Sequence, residues 1–158
     1  MAAALAEARA AASRLEVPVG AVLVFDCQIV AADGNRTREL NDPTAHAEMR
    51  VIRAAAARLG QERLDGADLY VTLEPCAMCA GAIAHARIRR LYFGAEDAKG
   101  GGVTHGARVF SHPTCHHKPE LYPGIAETEA AELLTTFFTA RRGTRISTRA
   151  EAPARRNP

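Results

Sequence analysis

A histidine and a glutamate two residues apart, His46 and Glu48, constrain this chain more than any other feature, because residues 49 to 74 then lead into a P-C-x-x-C run, Pro75 to Cys79. One imidazole and two thiolates, from His46, Cys76 and Cys79, form a borderline-to-soft donor set that suits zinc. Any fold of the chain must therefore bring two segments distant in sequence to one point. Structural zinc sites usually close with four protein ligands, whereas catalytic ones keep a position for water. Three ligands beside a carboxylate that need not be a ligand have the composition of a hydrolytic centre. A closed structural knuckle is the alternative, with Cys27, Cys115, His85, His105, His112, His116 or His117 as the fourth donor. Such a knuckle has no need of Glu48.

The surrounding pattern places these residues on helix starts. Residues 2 to 14 are alanine-rich and helical in propensity. Residues 21–25 and 28–32 read as a hairpin around Asp26 and Cys27, a weak turn pair. Asp33, Gly34 and Asn35 carry turn chemistry, and a polar loop follows. A helix is expected from Thr44 to Leu59, capped by Asp42 or Thr44 and stopped at Gly60. Residues 68–73 read as a strand, 76–86 as a short helix with Pro75 at its entrance, and 90–93 as another strand. Gly100 to Gly102 suggest a flexible loop. Glu127 to Arg142 reads as an amphipathic helix with Leu133, Leu134 and Phe137 assigned to core. Alternating strands and helices predict a layered α/β domain over residues 1–142, with 143–158 a basic, disordered tail.

The 158 residues suffice for one domain with a real core, and 47% are hydrophobic. The net charge of +2 is too small to argue for nucleic acid, but it is unevenly spread. Beyond Ala140 stand Arg141, Arg142, Arg145, Arg149, Arg155 and Arg156 against Glu151 alone, which suits a solvated tail or attraction to a polyanion. A C-x-x-C pair among four cysteines suggests metal binding in a reducing compartment, with Cys27 and Cys115 as free thiols. Glu7 and Arg9 interrupt the early alanines, so no secretory signal is read, and no apolar run approaches a membrane span. A cytoplasmic protein is expected.

The chemistry follows from the donor set. A water beside zinc is acidified toward neutrality, and Glu48 is placed to take its proton and pass it on. That is hydrolytic removal of an exocyclic amine from an aromatic ring, and the H-x-E, P-C-x-x-C spacing is the signature of zinc deaminases.

Beyond the motifs, residues 1 to 142 resemble the bacterial tRNA-specific adenosine deaminases, which convert a wobble adenosine to inosine. The resemblance rests on residues 16–24, 34–36, 41–48, 69–81, 87–91, 93–99 and 112–113. The metal motifs are common to the whole cytidine-deaminase-like superfamily; Val17 to Gly20 and Asp97 to Lys99 narrow it toward the tRNA enzymes. It implies a three-layer α/β/α domain with a five-stranded mixed central sheet. It also implies one Zn2+ per subunit on His46, Cys76 and Cys79, Glu48 as proton shuttle, and a homodimer acting on a tRNA anticodon stem-loop. By the same resemblance, the Ala47 N–H fixes the substrate oxygen, Asn35 hydrogen-bonds the flipped base and Val17 packs on it. Asp97 and Phe138 align with positions near the bound nucleotides. Residues 100–105 and 114–119 depart from many relatives.

Ordinary roles stand beside these: Asn35 as a left-handed turn residue, Val17 and Phe138 as core, Asp97 as a capping acid, His116 and His117 as solvated loop residues. Two other functions fit the same motifs, a deaminase of free bases such as guanine or cytosine, and a non-catalytic zinc or RNA-binding module.

Overall fold

The structure is a computed structural model that describes the backbone of residues 1–150 and the side chains of residues 1–142. In chain order the elements are α1 (Ala2–Ser13), β1 (Gly20–Phe25), β2 (Gln28–Gly34), α2 (Ala47–Leu59), β3 (Asp68–Leu73), α3 (Ala77–His85), β4 (Arg90–Ala95), a 3-10 turn (Val109–Ser111), β5 (Glu120–Tyr122) and α4 (Glu127–Ala150).

The hairpin turn is stronger than Asp26 and Cys27 suggest. Both take positive φ, 46° and 60°, the pairing whose twist matches the flanking strands. β1 then lies between β2 and β3, antiparallel to both, and its Gly20 to Leu23 stretch is buried on either face. From β3 the chain crosses through α3 to β4, and β3, β4 and β5 run parallel, giving the order β2-β1-β3-β4-β5. The three-layer mixed sheet expected from the sequence is the one observed. β5 has no signature in the sequence, because three residues after a proline are too short to show a period of two.

Strand alternation sorts the side chains between two layers. Leu23, Leu69, Val71, Leu91 and Phe93 face Val51 and Ala55 of α2 and Ala80 and Ile83 of α3, forming the main core. Each large side chain here contributes about 1.5–3 kcal/mol on burial. A second, smaller cluster joins Leu5 of α1 and Ala130 of α4 to Ala95 at the end of β4. Ala4, Ala8 and Ala11, all fully buried, let α1 lie close on the sheet.

Gly60 ends α2 in the left-handed conformation, as expected. α4 does not stop at Arg142 but runs on to Ala150, since Gly143 costs only about 1 kcal/mol within a helix. The side chains of 143–150 and all of 151–158, where the disordered tail was expected, lie outside the described residues. Leu133 and Leu134 pack half-buried on the core; Phe137 is half-buried, and Phe138 is 45% exposed and outside it.

Candidate functional site

The site forms where the C-terminal end of β3 meets the starts of α2 and α3, the end of an open α/β sheet at which ligands ordinarily bind. Both helices begin later than their patterns suggest. α2 starts at Ala47 with His46 as N-cap, and α3 at Ala77 with Cys76 as N-cap, both in extended conformation with no side-chain cap hydrogen bond. Asp42 caps the preceding turn instead, its Oδ1 accepting the N–H and hydroxyl of Thr44, each at 2.7 Å. Pro75 stands just outside α3. The two N-cap side chains are thereby left to point at each other.

They converge with a third. Nδ1 of His46 lies 3.7 Å from Sγ of Cys76 and 3.5 Å from Sγ of Cys79, and the three donor atoms fall within 4.8 Å of one another. Tetrahedral zinc, with bonds of about 2.0–2.3 Å, sets neighbouring donors about 3.5–3.8 Å apart, so the set fits that ion. Among the described residues no further His, Cys, Asp or Glu joins the group, which removes the closed-knuckle alternative.

The electrostatics match. The Cys79 S–H and His46 ring bonded to Cys76 pull its thiol down to about 4, making it a thiolate near neutrality. The bond to Cys76, then burial, pushes the Cys79 thiol up. The bond to Cys76 raises His46 above its ordinary value. Glu48, in the first turn of α2, is 3% exposed, and its Oε2 has no hydrogen-bond partner. Burial pushes its carboxyl above the usual carboxylate range. An unpartnered buried carboxyl oxygen costs stability, and such residues mark functional sites.

Two expected substrate contacts are bonded to each other. Asn35 is 7% exposed and its Oδ1 accepts the Ala47 N–H at 2.9 Å, fastening the end of β2 to the first turn of α2. Its φ is not positive, so the turn-residue role falls away. Val17 packs half-buried against the main core. Asp97 caps its own turn, Oδ1 accepting the N–H groups of Lys99 and Gly100 at 3.0 and 2.9 Å. Phe138 stands on α4 edge-to-face with Phe137, their centroids 5.5 Å apart. Arg141 lies 4.5 Å over the Phe137 ring and donates to the Leu15 carbonyl at 2.8 Å, tying α4 to the end of α1. His117 is not simply solvated, since its Nε2 bonds the Ile88 carbonyl at 2.7 Å, while His116 packs against His85. The thiols of Cys27 and Cys115 are free.

Two buried carboxylates escaped the sequence reading. Glu16 gathers the residues 37–39 turn, and Glu74 gathers residues 97–105. Burial alone would raise the Glu74 carboxyl, but the N–H groups of His105, Asp97 and Thr104 and the His105 ring hold it down at about 2.

Comparison with known proteins agrees with this geometry. A family model described as the cytidine and deoxycytidylate deaminase zinc-binding region matches residues 1–95, which hold all three ligand candidates and Glu48. The tRNA-specific adenosine deaminase of Agrobacterium fabrum (strain C58) is 66% identical over 139 residues, 88% of this chain and 91% of that one. A solved structure from a study of A-to-I editing by tRNA:A34 deaminases at the wobble position has a TM-score of 0.84 and 67% identity, covering 85% of this chain and 97% of its own. The guanine deaminase of Bacillus subtilis is similar at a TM-score of 0.60 and 29% identity, covering 98% and 93%.

Proposed function

The chain belongs to the cytidine and deoxycytidylate deaminase zinc-binding family and, within it, to the tRNA-specific adenosine deaminases; from that membership we propose that it converts adenosine to inosine at the wobble position of a tRNA anticodon. The observation that carries the reading is a His/Cys/Cys cluster beside a buried carboxyl with one oxygen unpartnered. The 29% identity to a guanine deaminase, against 66% to a tRNA enzyme, favours the polynucleotide substrate over a free base.

His46, Cys76 and Cys79 would hold one zinc ion. When bound, zinc supplies the Lewis acidity that makes water a competent nucleophile near neutral pH. Glu48 moves the protons. One carboxylate oxygen takes a proton from the attacking water and returns it to the ring nitrogen beside the reacting carbon. Glu48 then carries the proton of the newly added hydroxyl to the exocyclic amine, so that the C–N bond breaks, ammonia leaves and the hydroxyl oxygen becomes the inosine carbonyl. Adenosine and water become inosine and ammonia, and Glu48 ends as it began.

Asn35 orients the base. With its Oδ1 held by the Ala47 N–H, the amide nitrogen is the group left to donate. The Ala47 N–H, expected on the substrate oxygen, is given to Asn35 instead, so Ala47 acts by orienting that side chain. Val17 lines the base pocket, and Asp97 and Phe138 lie along the path of the flanking nucleotides. The protein acts as a homodimer in the cytoplasm, on the anticodon stem-loop; among the described residues no helix is long and apolar enough to cross a membrane.

Incubating zinc-replete protein with an anticodon stem-loop carrying wobble adenosine should yield inosine. Absence of product from folded, zinc-loaded protein refutes the assignment. Glu48→Gln should lower kcat by about 10²–10⁴-fold while zinc content stays unchanged.

A further inference from the structure

The glycines at 100–102 do not form a loose loop. Residues 96–105 make a strap that crosses the turn bearing Cys76 and is fastened to it at successive points. Gly102 donates to the Pro75 carbonyl at 2.8 Å, and Gly101 bridges Cys76. Gly101 is a necessity of that approach, because a Cβ there would lie 2.5 Å from both the Glu74 carboxyl carbon and the Asp97 carbonyl oxygen.

Glu74 is the centre of the fastening, and its side chain is wholly buried. Oε1 accepts the N–H groups of Val103, Thr104 and His105 at 3.1, 2.8 and 2.9 Å. Oε2 accepts the Asp97 N–H at 3.1 Å and the His105 Nδ1–H at 2.7 Å. The donors come from both ends of the strap. The residue that gathers them stands two positions before a ligand candidate.

We infer that Glu74 is a positioning residue for the metal centre: by holding the strap against the Pro75 to Ala77 turn, it fixes where Cys76 presents its sulfur. Groups that orient a metal ligand in this way commonly affect metal affinity by about 10–100-fold when removed. Glu74 is not among the clustered ligand candidates, and both its oxygens are taken up by the strap. Its effect is on zinc retention.

The inference rests on the assignment of zinc to His46, Cys76 and Cys79, so the test reads zinc affinity directly, by equilibrium competition with a chromogenic chelator on the full chain. Glu74→Gln turns one acceptor oxygen into a donor facing two donors. Gly101→Ala leaves the carboxylate intact and pushes the strap away from it, which covers the case in which the first variant fails to fold. Leu64→Ala, a fully buried core truncation outside the site, controls for general loosening. Glu74→Gln and Gly101→Ala should each weaken zinc binding by about 10–100-fold, with the control near wild type. Wild-type affinity in both variants, or equal loss in the control, overturns the inference while the zinc assignment stands. Failure of the wild-type chain to bind zinc overturns the assignment itself and this inference with it.

Discussion

Glu16 offers a quantitative test of how the site is held. Its carboxylate, 1% exposed, sits between α1 and β1 and accepts the N–H groups of Arg38 and Glu39 at 2.8 and 2.9 Å and the Thr37 hydroxyl at 3.1 Å. These bonds close the loop between Asn35 and His46, whose other end is tied by the Arg36 N–H to the Ala45 carbonyl. Glu16→Gln keeps the shape and removes the charge. Hydrogen bonds to a charged acceptor are worth about 1.5–3 kcal/mol and neutral ones about 0.5–1.5, so two weakened N–H bonds cost roughly 2 kcal/mol. The Thr37 hydroxyl can turn to accept from the new amide, and that bond is nearly neutral. For a domain of this size the loss corresponds to a fall in Tm of about 4–8 °C. Its pH dependence has a definite sign. Burial raises the Glu16 carboxyl, but the N–H groups of Glu39 and Arg38 outweigh it and the folded-state pKa is lowered. A depressed acid stabilises the fold above its unfolded pKa of about 4.3, and the contribution is lost as pH falls through the lower folded value. The wild-type advantage over Glu16→Gln should therefore be full at pH 6–7 and shrink below about pH 4. Thermal melts of both metal-stripped proteins across that range keep zinc-ligand protonation out of the difference. A gap that stays constant to pH 3, or that is absent at neutrality, refutes the reasoning.

Asn35→Ala should leave the buried Ala47 N–H without an acceptor, costing about 1–3 kcal/mol, or a few degrees of Tm. It should also raise KM for the stem-loop; unchanged melting would show that the Asn35 bond contributes nothing to the α2 start. Chelating zinc from protein held at about 100-fold over its Kd should remove about 2.7 kcal/mol, lowering Tm by roughly 5–10 °C, reversibly on adding zinc back. A melting curve indifferent to chelator in zinc-loaded protein contradicts the linkage.

The ligand set was legible because its members are defined by identity and spacing, and because His46 and Cys76 precede recognisable helical runs. β3 was legible in full for the same reason, an apolar run between clear boundaries. Glu74 and Glu16 were hidden because their meaning is tertiary. The groups bonded to Glu74 lie 23 to 31 residues away, and no local pattern reports such a distance. The strap is hidden for a related reason. Three successive glycines signal freedom in an isolated chain, yet here Gly101 and Gly102 are what close approach to Glu74 and Ala77 requires. The bond between Asn35 and Ala47 likewise depends on β2 ending beside α2, which the hairpin pattern alone does not specify.

His46 and Cys76 occupy the places where helices ordinarily keep a serine, threonine or aspartate. Transplanting this centre into another scaffold therefore means moving two helix beginnings, together with the asparagine that serves one of them. A host offering the same side chains from mid-helix positions would match the separations and still lack the open N–H ends that favour thiolate over thiol. The smallest portable unit is a pair of converging helix tips rather than a constellation of residues.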